Sequence, residues 1–72
     1  MIDVIVNGKA LQAKAGLSYD DIVALAELPR GPTYSITYRG RVPGSASGIL
    51  KPGEHIIAME GTVFNVFHTG NA

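Results

Sequence analysis

His55 and His68 are the chain's two histidines, and imidazole is the side chain best suited to hold a transition metal or to move a proton near neutral pH. No second His and no Cys stands at metal-ligand spacing from either one. A stable site takes three or four ligands, so no metal centre is expected and the pair reads as surface or edge histidines. Asp20 and Asp21 are neighbouring carboxylates of the kind that could divide acid–base work. They also follow Ser18 at the head of an apolar periodic stretch, where helix capping accounts for both without a substrate. Gly40, Gly44 and Gly48 are spaced somewhat like a phosphate cradle, but Gly-x-x-x-x-Gly-Lys-Ser/Thr is absent and a solvated loop explains them. Ser18, Ser35, Ser45 and Ser47 have no histidine at a spacing that suggests a nucleophile and its base. No catalytic residue, no cofactor and no enzymatic activity are expected.

The residue left with chemistry is Gly70. Without a β-carbon it can lie extended in a channel too narrow for any side chain, so a carboxylate exposed there could be threaded into an activating enzyme. The same glycine reads equally well as one more residue of a frayed end. Residues 1–69 are expected to form one domain and 70–72 a flexible tail.

The 72-residue length allows a single domain with a small core. There is no cysteine, hence no disulfide framework and no thiolate site, which suits a reducing compartment and a cytoplasmic location. The longest apolar run, 22–26, is far short of a bilayer span, and no basic-then-apolar leader opens the chain, so no membrane partner is expected. Six basic residues balance six acidic ones and are scattered, which lacks the electrostatic footprint of a nucleic-acid binder. Near-neutral charge also weakens repulsion between copies, which favours weak self-association.

The elements follow from the pattern. Asn7-Gly8 between two apolar runs predicts a hairpin of strands over 2–6 and 9–13, pairing Ile2 with Ala13, Val4 with Leu11 and Val6 with Lys9. Ile2, Val4, Leu11 and Ala13 then share the core face and Ile5 faces outward. Residues 14–17 are expected to turn into a helix begun by Ser18, with Ile22, Val23, Leu25, Ala26 and Leu28 inward, about three turns long and ended by Pro29. Residues 33–39 alternate as a half-buried strand with Tyr34, Ile36 and Tyr38 inward. A mobile loop over 40–48, re-entry of Ile49 and Leu50 into the core, a short strand over 55–59 and a last strand over 62–68 complete the order ββαβββ. The last strand belongs at the sheet centre, because its Val- and Phe-rich backbone needs partners on both edges. Phe64 and Val66 face inward, since the other register buries Asn65 at a cost of about 1 to 3 kcal/mol. Ile5, Val63 and Phe67 then form an outward apolar patch, the expected partner-binding surface.

The order of elements and the tail together resemble the β-grasp of ubiquitin-like proteins, an α+β fold with one helix packed on a mixed sheet. Glu60-Gly61-Thr62-Val63-Phe64-Asn65-Val66-Phe67 running to Gly70 is similar to the final strand and tail of ubiquitin. Leu50-Lys51-Pro52-Gly53-Glu54-His55-Ile56 is similar to a turn of the sulfur carriers of that fold. Over nearly its full length the chain resembles the bacterial multiubiquitin-type domain, through Val6-Asn7-Gly8-Lys9, Tyr19-Asp20-Asp21-Ile22-Val23, Leu28-Pro29, residues 32–38, Leu50-Lys51-Pro52-Gly53-Glu54 and residues 60–66.

That resemblance implies a protein modifier that works with an E1-like activating enzyme, an E2-like carrier and a JAB-type peptidase in a bacterial conjugation system, some of which serve antiphage defence. The C-terminal glycine would be adenylated, passed to the carrier and joined to a target protein. The chain reads Gly70-Asn71-Ala72 rather than Gly-Gly, so a peptidase removes Asn71 and Ala72 to expose Gly70, or the chain is not conjugated through it. Ser35 and Thr37 take the outward positions of their strand, which leaves no counterpart to the central isoleucine of ubiquitin's recognition patch. Two other readings remain: a non-covalent β-grasp module for binding or self-assembly, and a sulfur carrier, which would need the terminal glycine that the chain lacks as written.

Overall fold

In a computed structural model, which describes residues 1–29, 31–40 and 47–68, Asn7 and Gly8 adopt φ angles of 50° and 82° and join β1 (Ile2–Val6) to β2 (Lys9–Ala13). Positive φ at both turn residues is what a two-residue hairpin demands, because only then does the turn match the right-handed twist of its strands. The expected register forms throughout, from Ile2 with Ala13 through Val4 with Leu11 to Val6 with Lys9.

The chain then departs from expectation. Gly16–Ser18 is a short strand, β3, rather than part of a turn, and it pairs antiparallel with a later strand. Three residues are too few to show a period, and the partner lies far along the chain. The helix α1 (Tyr19–Leu25) follows at once, with a reciprocal cap: Ser18 Oγ accepts from Asp21 N at 3.1 Å, and Ser18 N donates to the Asp21 carboxylate at 3.0 Å. The backbone amide and hydroxyl of Ser18, with Lys14 Nζ at 3.8 Å, hold the Asp21 carboxyl below the usual carboxylate range. A depressed pKa in the folded state contributes stability above the unfolded value, about 3.9, and that contribution is lost as pH falls through the folded value. Urea midpoints measured from pH 5 down to pH 2.5 should therefore fall less steeply for Asp21→Asn than for the parent protein.

The helix is about two turns long, not three. Glu27 takes φ 58°, its amide and that of Leu28 turn back to the carbonyls of Ala24 (3.0 Å) and Val23 (3.4 Å), and Leu28 folds onto the core. This αL ending satisfies the last carbonyls before Pro29 can act. Glutamate is an unfavoured residue in that conformation, so Glu27→Gly should raise stability by about 0.5 to 1 kcal/mol, read as a higher urea midpoint at unchanged slope.

β4 (Tyr34–Arg39) buries Tyr34 and Ile36 and leaves Tyr38 half-buried, as its alternation predicts. Ser47–Leu50 is a further strand, β5, where a loop was expected up to Gly48; residues 41–46 of that loop lie outside the described residues. β5 pairs with β4 and sets Gly48 opposite Tyr38, where a β-carbon would come within 2.9 Å of the phenol oxygen. Leu50 is buried but Ile49 is 63% exposed, against the expectation that both enter the core. Adjacent strand residues point to opposite faces, so only one of the two can. β6 (His55–Ile57) is shorter than expected and pairs with β3 as a separate two-stranded sheet.

β7 (Val63–His68) lies between β1, with which it runs parallel, and β4, with which it runs antiparallel, in a five-stranded sheet ordered β2-β1-β7-β4-β5. The terminal strand is thus central, with Phe64 and Val66 buried and Asn65 exposed. β1 ends before β7 does, and Asn7 extends the ladder with its side chain, Oδ1 accepting from Val66 N at 2.8 Å. The result is an α+β domain with one helix packed on a mixed sheet, its core built around Val4, Ile22, Ile36 and Phe64.

Candidate functional site

The parallel register of β1 and β7 makes Ile5 and Val63 direct neighbours on the face of the sheet away from the helix, both half-buried. Phe67, 51% exposed, lies on the same face four residues further along β7, about 13 Å away at strand rise. Exposed Asn65 stands between them and interrupts the apolar surface. Across β4, Arg39 pairs with Val63, Thr37 with Asn65 and Ser35 with Phe67. Ile49 pairs with Thr37 and therefore joins this face, an apolar contribution that sequence reading missed by sending it inward.

Around Ile5 and Val63 the face is concave. A depression of about 560 Å³ is lined also by Ala10, Arg39, Asp3 and Glu60. Its physical cause is legible in the register. Gly61 donates to Asp3 O at 2.7 Å, which continues the row beyond Val63, and Gly40 follows Arg39; neither glycine fills the space with a side chain. Glu60 is held on one rim by Asp3 N, 3.2 Å from its carboxylate. The charged groups of Asp3 and Arg39 belong to neither of the ion pairs found among the described residues, Lys9–Glu27 and Lys14–Asp21.

Other candidates are dispersed. His55 lies on β6 in the small sheet, whereas His68 ends β7 and sets its ring against Tyr34 at a tilt of 52°, with ring centroids 5.0 Å apart. Among the described residues no three His, Cys, Asp or Glu side chains gather where they could hold a metal ion. Asp21 is engaged in the helix cap and Asp20 is exposed in the first turn. Tyr34 itself is pinned from three sides: its hydroxyl donates to Pro29 O (2.6 Å), its amide donates to the Tyr19 hydroxyl (2.7 Å), and that hydroxyl donates to Tyr34 O (3.1 Å). Among the described residues no helix is long and apolar enough to cross a membrane. Gly70, Asn71 and Ala72, the expected conjugation and processing residues, lie outside the described residues, as does Ser45.

No family model, curated protein or solved structure matches the chain. The surface itself is what can be read: an apolar-floored depression rimmed by Asp3, Glu60 and Arg39 at one end of the sheet and two exposed apolar residues, Ile49 and Phe67, further along it.

Proposed function

We propose that the chain is a ubiquitin-like modifier of β-grasp fold in a bacterial conjugation system, possessing no activity of its own. Trimming removes Asn71 and Ala72, an E1-like enzyme adenylates the freed Gly70 carboxylate, an E2-like carrier receives it, and a JAB-type peptidase processes or releases it from the target protein. The surface around Ile5, Val63 and Phe67 docks these enzymes in the cytoplasm, and antiphage defence is the process such a system would serve.

The observation that supports this reading is the placement of β7. A β-grasp resemblance requires the last strand to lie centrally and parallel to the first, and β7 pairs with β1 in that sense while β4 covers its other edge. Gly70 follows two residues after His68, the last residue of β7 among the described residues. In this reading a side chain at 70 obstructs the activating enzyme's narrow channel. Gly70→Glu is expected to abolish ATP–pyrophosphate exchange by the E1-like enzyme while the thermal melting curve stays unchanged. Normal exchange by that variant would remove Gly70 from the scheme.

A second reading is favoured by the exposure of Ile49 and Phe67 on one sheet face near β5, the edge strand of the sheet among the described residues: a non-covalent module that binds or self-assembles through that face. Light scattering over a concentration series separates the two, since the modifier stays monomeric and the assembly module grows.

A further inference from the structure

The depression at the Ile5–Val63 end of the outer face has a charge layout that neither the tail chemistry nor the fold accounts for. The row across the sheet runs Ala10, Ile5, Val63, Arg39, by the pairings of β2 with β1, β1 with β7 and β7 with β4. Its floor is therefore two branched apolar residues, flanked on one side by the smallest apolar side chain and on the other by a guanidinium. Asp3 lies two residues before Ile5 on the same face, about 7 Å along β1, with Glu60 hydrogen-bonded to its amide. The two acids thus sit at the end of the sheet and the cation at its flank, with apolar floor between them. Neither the Asp3 carboxylate nor the Arg39 guanidinium is spent on an ion pair within the described residues. An exposed pair of opposite charges left apart across an apolar floor orients a partner whose charges are reversed.

We propose that this depression docks an extended segment of a partner protein in which a branched apolar side chain covers Ile5 and Val63, a basic residue on one side of it meets Asp3 and Glu60, and an acidic residue on the other side meets Arg39. Ala10 leaves room for the segment to enter from the β2 side. The apolar residue supplies most of the affinity by covering the floor, and the rim charges set the direction in which the segment lies. The site does not depend on Gly70 being activated, so peptide recognition and tail chemistry stand or fall separately.

The test is selection of a random linear peptide library displayed on phage against the 72-residue protein, followed by the same selection against Arg39→Glu and Asp3→Lys. Both substituted side chains are exposed, and thermal melts confirm that the variants fold. Selection on the parent protein is expected to enrich peptides with a branched apolar residue between a basic and an acidic one. On Arg39→Glu the acidic flank should become basic, on Asp3→Lys, where Glu60 remains beside the new cation, the preference for a basic flank should be lost, and parent-selected peptides should bind each variant about tenfold more weakly. Failure to enrich any peptide, enrichment without a charge preference, or a preference that stays the same on both variants would overturn the proposal. Binding of free amino acids or other small zwitterions as tightly as the selected peptides would overturn it too, by making the depression a small-molecule site. A protein that recognises such peptides while its Gly70→Glu variant is activated normally would remove Gly70 from the scheme and leave this site intact.

Discussion

Phe64→Ala is expected to leave the protein unfolded, or nearly so, at room temperature. Phe64 has no exposed surface, stands on the central strand opposite Val6 on one side and Tyr38 on the other, and is among the largest side chains fully enclosed by the core. Truncating a buried phenylalanine removes its transfer free energy and leaves a cavity that a close-packed core only partly closes, about 3 to 5 kcal/mol in all. A single small core of this size supplies a net stability of about the same amount. Phe64→Leu retains most of the volume and should keep a cooperative transition. Urea unfolding followed by circular dichroism checks both, and a Phe64→Ala protein that loses less than about 1 kcal/mol would mean that the centre of the core lies elsewhere.

Tyr19→Phe should cost about 2 to 3 kcal/mol although it deletes one oxygen and leaves the ring in place. The Tyr19 hydroxyl accepts from Tyr34 N and donates to Tyr34 O, both inside the fold. The pairing of β5 with β4 reaches Ile36, two residues beyond Tyr34, so among the described residues the first residue of β4 has no strand neighbour on that side. The tyrosine at the first position of α1 takes the place of that missing strand. Without it, a buried amide and a buried carbonyl are left unpaired, which costs their desolvation rather than the modest net value of a hydrogen bond. Tyr34→Phe, which loses only the part-buried bond to Pro29 O, should cost about 1 kcal/mol. Equal losses for the two variants would show that the Tyr19 bridge is not the fastening between helix and sheet.

What could be read from sequence was what local chemistry decides. The hairpin register is set by Asn7-Gly8, two residues that tolerate the left-handed region, and the cap is set by Ser18 and Asp21 three residues apart. The facing of β7 follows from the cost of burying Asn65. What was missed depends on distant partners. β3 exists because Leu17 meets Ile56, and nothing within Gly16–Ser18 announces it. The early end of α1 rests on Glu27 in a conformation that glycine or asparagine would have signalled and glutamate does not. Ile49 looked like core because its neighbour Leu50 is core, whereas strand alternation places it outside. The candidate surface divides in the same way. Ile5 and Val63 were legible as outward residues, but the depression around them needs Asp3, Arg39 and Glu60 brought from three separate segments by the pairing of β7 with both β1 and β4.

The central claim, a modifier joined through Gly70, is tested most directly by intact mass of the protein recovered from its native host, with and without the JAB-type peptidase. The account predicts a free form ending at Gly70 when the peptidase is present, together with heavier species that carry the domain on other proteins. Only the full-length mass, ending at Ala72 under both conditions and with no heavier species, would contradict it.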